Sequence, residues 1–254
     1  MTAPPGSDLF AYTLYLADDA LVLAQRLGQW AASAPQLEED VALTNIGLDL
    51  LGHARALLSY AGEVEGAGRD EDDLAYLRED RDFRNCLLVE QPNGDFATTI
   101  ARLLYFSTYQ LGLYRALAGS ADPTLAAVAA KAVKEVDYHV DHAVTWTVRL
   151  GDGTDESHAR MQRAVEELWP FTGELFEAGD VVGTLAADRV AIDPGPLRAD
   201  WARDIDAVLA EATLARPAEA WQHSGGRRGV HTEHMGYLLA ELQYLHRLHP
   251  GARW

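Results

Sequence analysis

The sequence predicts an all-α protein, an up-down four-helix bundle with additional C-terminal helices. Three observations predict it. Apolar residues recur at three- and four-residue spacing through long segments. Caps and breakers punctuate those segments. No stretch shows the strict alternation of a half-buried strand.

The first helix is read from "SDLFAYTLYLADDALVLAQRLGQWAAS", residues 7–33, with Ser7 as N-cap. Leu16, Ala20, Leu23, Leu27 and Trp30 make its stripe, and Pro35 follows its end. The second, "LEEDVALTNIGLDLLGHARALLSYAGE", opens with Glu38, Glu39 and Asp40, where the helix dipole favours anions. Ile46, Leu50, His53, Leu57 and Tyr60 share one face of it. Residues 66–82 read as a charged, solvated connection with one short exposed helix.

The turn "QPNGD" ends on Asp95, a cap for the third helix, which aligns Ile100, Leu103, Leu104, Ser107, Leu111 and Tyr114. Pro123 lies near the start of the fourth helix, which runs to about Leu150 and stops at "GDGT". Further helices are predicted over 155–178, 197–213 and 231–248, with "QHSGGRRGVHT" joining the last two. The expectation is one domain over 1–254, its core bundle at about 7–150 and its C-terminal helices at about 155–254.

Composition narrows the function. With a net charge of −18 over 254 residues, the chain lacks the clustered Lys and Arg that bind nucleic acid or an anionic membrane. The one cysteine, Cys86, can form no internal disulfide and is too few for a Cys-based zinc site. The start "MTAPPGSDLF" lacks the basic and apolar regions of a signal peptide, and no run is apolar enough to span a bilayer. A soluble, cytoplasmic protein is expected.

The fourth helix carries the chemistry worth testing, in "KAVKEVDYHVDHAVTW", residues 131–146. At about 100° per residue it divides into three sectors. Val133, Val136, Val140, Val144 and Thr147 form an apolar one, and Lys131, Lys134, Asp137 and Asp141 a charged one. Glu135, Tyr138, His139, His142 and Trp146 occupy the third. With the charged sector in water, Glu135 and the histidines are at least partly buried and need partners. The second helix offers a counterpart in Asp49 and His53, four residues apart.

An acid and a His on each of two helices suggest a di-metal bundle, where two helices give one Glu each and two give Glu-x-x-His. This sequence misses that pattern throughout. Gly52 and Tyr138 stand where His should follow Asp49 and Glu135, and His53 and His139 lie one residue further on. The first helix has no acid between Asp19 and Ser33, and Gln25 stands at mid-height. The third has none from Phe96 through Ala121, with Ser107 on its inner stripe. Two divalent ions would lack neutralising carboxylates, so no metal, cofactor or catalytic residue is expected in this chain. Gln25, Asp49, His53, Ser107, Glu135, Tyr138, His139 and His142 are read as the remnant of such a site. An altered metal site on Asp49, His53, Glu135 and His139 is the rival reading.

Weaker candidates remain. His231 and His234 read as a cap or pair rather than metal ligands. "SGGRR" could cradle an anion but lacks strand-loop-helix context and reads as a flexible linker. "ELWPFTGELFEAG" is apolar enough to predict a docking face. No nucleophile motif appears.

Several stretches together are similar to one family: "LTNIGLDLLGHARALLSYAGE", "GRDEDDLAYLRED", "RDFRNCLLVEQPNGDFATTIAR", "KEVDYHVDHAVTWTVRLGDGTDESHARMQ", "ELWPFTGELFE" and "GYLLAELQYLHRLHPGARW". They resemble the PaaC-type subunit of the bacterial phenylacetyl-CoA epoxidase, or ring 1,2-phenylacetyl-CoA oxygenase, over almost the whole chain. The resemblance implies a ferritin-like fold that has lost its metal site and pairs with a catalytic PaaA-type subunit, which holds the di-iron centre. It also implies small accessory subunits, and a reductase with FAD and an iron–sulfur centre drawing electrons from NADPH. A structural subunit of this kind would share over about 2,000 Å² with its partner. It could form a homodimer when alone. A module binding an acyl-CoA near "SGGRR" is a third, weaker expectation.

Overall fold

The computed structural model describes residues 7–218 and 221–252, and among these the regular structure is helical throughout. In chain order the helices are α1 (Ser7–Gly28), α2 (Leu37–Glu65), α3 (Glu71–Tyr76), α4 (Leu87–Glu90) and α5 (Phe96–Leu117). They continue as α6 (Pro123–Gly151), α7 (Asp155–Leu168), α8 (Asp180–Ala187), α9 (Arg198–Glu211) and α10 (Glu233–Leu248). Two compact units result: one holds the described residues up to Pro92 and from Gly225 onward, the other those from Asn93 through Ser224.

In the first unit α1 and α2 pack along each other, and a connection as short as 29–36 makes such neighbours antiparallel. Ile46, Leu50, His53 and Leu57 are buried on α2 as the spacing predicts, joined by Leu43, whereas Tyr60 at the end of the predicted stripe is only half-buried. The helix closes on Gly66, whose φ of 67° is left-handed and whose N–H donates to the Gly62 carbonyl. α1 stops at Gly28 rather than Ser33, and the chain then turns, with Ala32 at φ 62°. The 66–82 segment is not simply a solvated face, because Leu74, Ala75 and Arg78 are buried.

In the second unit Asp95 caps α5 by accepting from the Thr98 N–H at 3.0 Å. Asp122 caps α6 through the Thr124 and Leu125 N–H groups, with Pro123 at the first position. α5 is buried almost all round, which its apolar length and lack of acids allow. The helix predicted over 155–178 ends at Leu168, because Pro170 cannot continue it, and 3-10 turns follow at 169–171 and 173–176. α8 was not visible in the spacing.

Correction is also needed for "ELWPFTGELFEAG". Trp169, Leu175 and Phe176 are buried, so this segment is core and not a docking face. The ring of Trp201 lies 5.8 Å from those of Tyr105 and Trp169 and 5.2 Å from Phe176. Its indole N–H donates to the Tyr105 carbonyl at 2.9 Å, and the Tyr105 hydroxyl donates to the Val165 carbonyl at 3.1 Å. The polar tips of Trp201 and Tyr105 therefore each have a partner.

Candidate functional site

On α6 the charged sector faces water as expected, with Lys131, Lys134, Asp137 and Asp141 exposed. The buried line, however, runs between the other two sectors, through Ala132, Val136, His139, Ala143 and Thr147. Val136 and Thr147 of the apolar sector lie on that line, whereas Val133, Val140 and Val144 are only half-buried. His139 is 1% exposed, Glu135 and His142 are half-buried, and Tyr138 stands 50% exposed, out of any enclosed site. Burial, with His139 adding to it, pushes the His142 imidazole down to about 4, so it is neutral at physiological pH. Ser107 on α5 is buried and donates to the Leu103 carbonyl at 2.6 Å, a bond within its own helix.

The first unit holds the remaining predicted residues. His53 is buried and Asp49 half-buried, one helical turn apart on α2. Gln25 is half-buried on α1 and lines a cleft of about 280 Å³ with Leu21, Gly28, Leu48, Leu51 and Tyr76. Among the described residues, no group of three or more His, Cys, Asp or Glu side chains is placed to hold a metal ion.

The densest buried polar chemistry lies elsewhere in the first unit, at residues that periodicity did not single out. Asp18 and Arg78 form a fully enclosed pair: Arg78 Nη1 donates to Asp18 Oδ2 at 2.9 Å and Nη2 to Oδ1 at 2.5 Å. The Arg84 N–H also donates to Asp18. Asp19 accepts from both Nη atoms of Arg227, at 3.0 and 2.7 Å, and from the Cys86 N–H at 2.7 Å. Burial raises the Asp19 carboxyl above its usual range, and Arg227 with the Cys86 N–H pulls against that rise.

Glu90 completes the network. One carboxylate oxygen accepts from Asn85 Nδ2 at 2.9 Å and meets His231 Nδ1 at 2.7 Å. The other accepts from the Thr232 N–H and hydroxyl at 2.6 and 2.7 Å. Burial alone would lower His231, but Glu90, the Phe83 carbonyl and Asp18 outweigh it and hold its pKa above the ordinary 6.5. Arg26 of α1 donates twice to the Glu90 carbonyl. These groups bond α1, the 78–90 segment and the chain entering α10 to one another, with Asp18 facing Arg78 and Asp19 facing Arg227.

"SGGRR" is therefore neither a flexible linker nor an open anion cradle. Arg227 is engaged by Asp19, and a Cβ on Gly226 would stand 2.1 Å from the Asn85 carbonyl oxygen. The glycines are there so that backbone can press on backbone. His231 is a pairing residue, as one of its two readings held. The signal that could have exposed this network is the set of acids inside apolar α1, Asp18 and Asp19, at positions a solvated face would not supply.

The fold class that these elements define is ferritin-like and all-α. A solved structure with the same fold, a protein with aldehyde deformylating oxidase activity from Synechococcus, matches with a TM-score of 0.56 at 21% identity. That match covers 84% of this chain and 95% of the other. More particularly, the chain belongs to the phenylacetic acid catabolic protein family, PaaA_PaaC, whose model matches residues 1–254. It is 52% identical over 248 residues to the C subunit of 1,2-phenylacetyl-CoA epoxidase from Escherichia coli (strain K12). That alignment spans 98% of this chain and 100% of the relative. No helix among the described residues is long and apolar enough to cross a membrane.

Proposed function

We propose that this chain is a non-catalytic structural subunit of a multicomponent phenylacetyl-CoA epoxidase, acting in the cytoplasm in aerobic phenylacetate catabolism. It pairs with a di-iron catalytic subunit of the PaaA type and supports that subunit's helices. Full-length similarity to a named epoxidase subunit supports membership of the complex. One observation carries the non-catalytic role: α5 contains no Asp or Glu at all. α1 likewise has none beyond Asp19, whose carboxylate is already committed to Arg227 and Cys86.

A di-iron centre needs carboxylates from all four walls to offset two cations in a dry core. The donors here do not fit it. Asp49, His53, Glu135 and His139 offer an incomplete set, Gln25 and Ser107 are neutral, and Tyr138 points toward solvent. No reaction step is assigned to this chain. Iron belongs to the partner, and FAD, the iron–sulfur centre and NADPH to a reductase.

Co-expression with a candidate catalytic subunit of the PaaA type tests the reading. The two chains are expected to co-purify, with phenylacetyl-CoA epoxidised by the pair and not by this chain alone. Epoxidation by this chain alone would refute it.

A further inference from the structure

The two units differ in what they leave uncovered. Among the described residues, ten of the twelve large apolar or aromatic side chains that stand exposed lie in the first unit. On α2, Leu37, Val41, Leu48 and Leu51 recur at helical spacing along the face opposite the buried line. On α10, Tyr237, Tyr244 and Leu248 form a ridge 75%, 66% and 53% exposed, with Leu245 beside it.

A cleft lies between the two helices that carry these stripes. The cleft beside Gln25 is lined by Leu48 and Leu51 of α2 on one side and by Leu242 of α10 on the other. A second groove, of about 620 Å³, flanks the ridge along Gly236, Ala240 and Tyr244. Ridge and groove alternate as they do on a helix surface prepared to receive another.

We infer that this face of the first unit docks an apolar helical ridge of the catalytic subunit, one rimmed by Lys and Arg. The inference rests on the proposed function and names the surface it uses. Charge selects the occupant. Glu38, Asp80, Glu233 and Glu241 stand exposed around the patch. Arg55 and Arg247 already face Glu71 and Glu79, each at 3.2 Å. A second copy would bring one chain of net charge −18 against another, acid rim to acid rim, which a basic rim avoids. Area allows it too. About 20 Å along the helices by about 30 Å across three of them gives roughly 600 Å² per partner for the apolar centre. Doubled, that reaches the lower bound of stable interfaces, about 1,200 Å². Exposed tyrosines at its middle are the residue type that anchors such contacts.

The test compares Leu48→Asp/Tyr244→Asp with Tyr138→Asp, all at exposed positions, for affinity toward the purified catalytic subunit. The expected result is a loss of at least 100-fold for the first and less than 3-fold for the second. Hydrogen exchange on the unmutated pair gives an independent readout, with added protection expected over 37–51 and 237–248. Unchanged affinity of Leu48→Asp/Tyr244→Asp, with protection elsewhere, overturns the surface while leaving the proposed function standing. If the unmutated chain binds no catalytic subunit, the proposed function falls and the surface with it. A homodimer that Leu48→Asp/Tyr244→Asp dissociates, with heteromeric affinity intact, assigns the face to a second copy and overturns the inference.

Discussion

The first unit encloses ion pairs and exposes apolar surface, whereas the second encloses a cluster of aromatic rings and keeps the charged sector of α6 in water. In the first, Asp18 with Arg78, Asp19 with Arg227 and Glu90 with His231 form three enclosed pairs, while Leu48, Tyr237 and Tyr244 face outward. In the second, Tyr105, Trp169, Phe176 and Trp201 interlock inside, and α6 turns Lys131, Lys134, Asp137 and Asp141 to water. The contrast teaches that one fold can be held in two ways. Apolar burial is non-directional and tolerates variation. A buried ion pair is specific but is strongly destabilising once one partner is lost.

The largest break in that comparison is Asp18→Ala, which strands the Arg78 guanidinium in the interior. A loss of about 3–5 kcal/mol in urea unfolding is expected. Replacing Asp18 and Arg78 together by Leu and Met should recover most of it, as apolar groups of similar volume do. A single-mutant loss below about 1 kcal/mol would show that the enclosed pair does not hold the first unit.

Next in size is glycine chemistry. Gly226→Ala forces its Cβ against the Asn85 carbonyl oxygen and should cost about 1–3 kcal/mol. Gly183→Ala in α8 meets open space within a helix and should instead stabilise the second unit by about 0.5–1 kcal/mol. Thermal melts of the two variants should move in opposite directions.

A single cap comes third. Asp95→Ala removes the bond to the Thr98 N–H at the start of α5 and should cost about 1 kcal/mol by the same melts.

Two histidines, read by titration rather than by melting, give the clearest signs. His231 has its pKa raised, so its contribution is full below about 6.5 and is lost as pH rises through the folded value. His142 has its pKa lowered to about 4, so the unfolded chain binds a proton that the folded chain refuses between about 6.5 and 4. Its contribution is present above about 6.5 and declines as pH falls toward 4. Imidazole titration by NMR should place His231 above and His142 below the free value; the reverse order would contradict the electrostatic assignment of both units.

Much of the fold was legible in the sequence because the signals are local. Asp95 and Pro123 act on neighbours within four residues, and the stripe through Ile46, Leu50, His53 and Leu57 needs only the helical repeat. The lack of Asp and Glu on α5 is legible for the same reason, being visible in a single segment. The buried network was not. Asp18 finds Arg78 sixty residues on, and Asp19 finds Arg227 more than two hundred on, distances at which periodicity carries no information. The late aromatic segment misled because its Trp169, Leu175 and Phe176 are spaced irregularly around Pro170, and irregular apolar runs do not say which side they bury.

The central claim is that the walls of this ferritin-like chain cannot neutralise a pair of iron ions. Its most direct measurement is the iron content of each chain after the assembled pair has been purified and separated. The account predicts substoichiometric iron in this chain and a full di-iron complement in its partner. A full complement in this chain, bound through residues of α1 and α5, would contradict it.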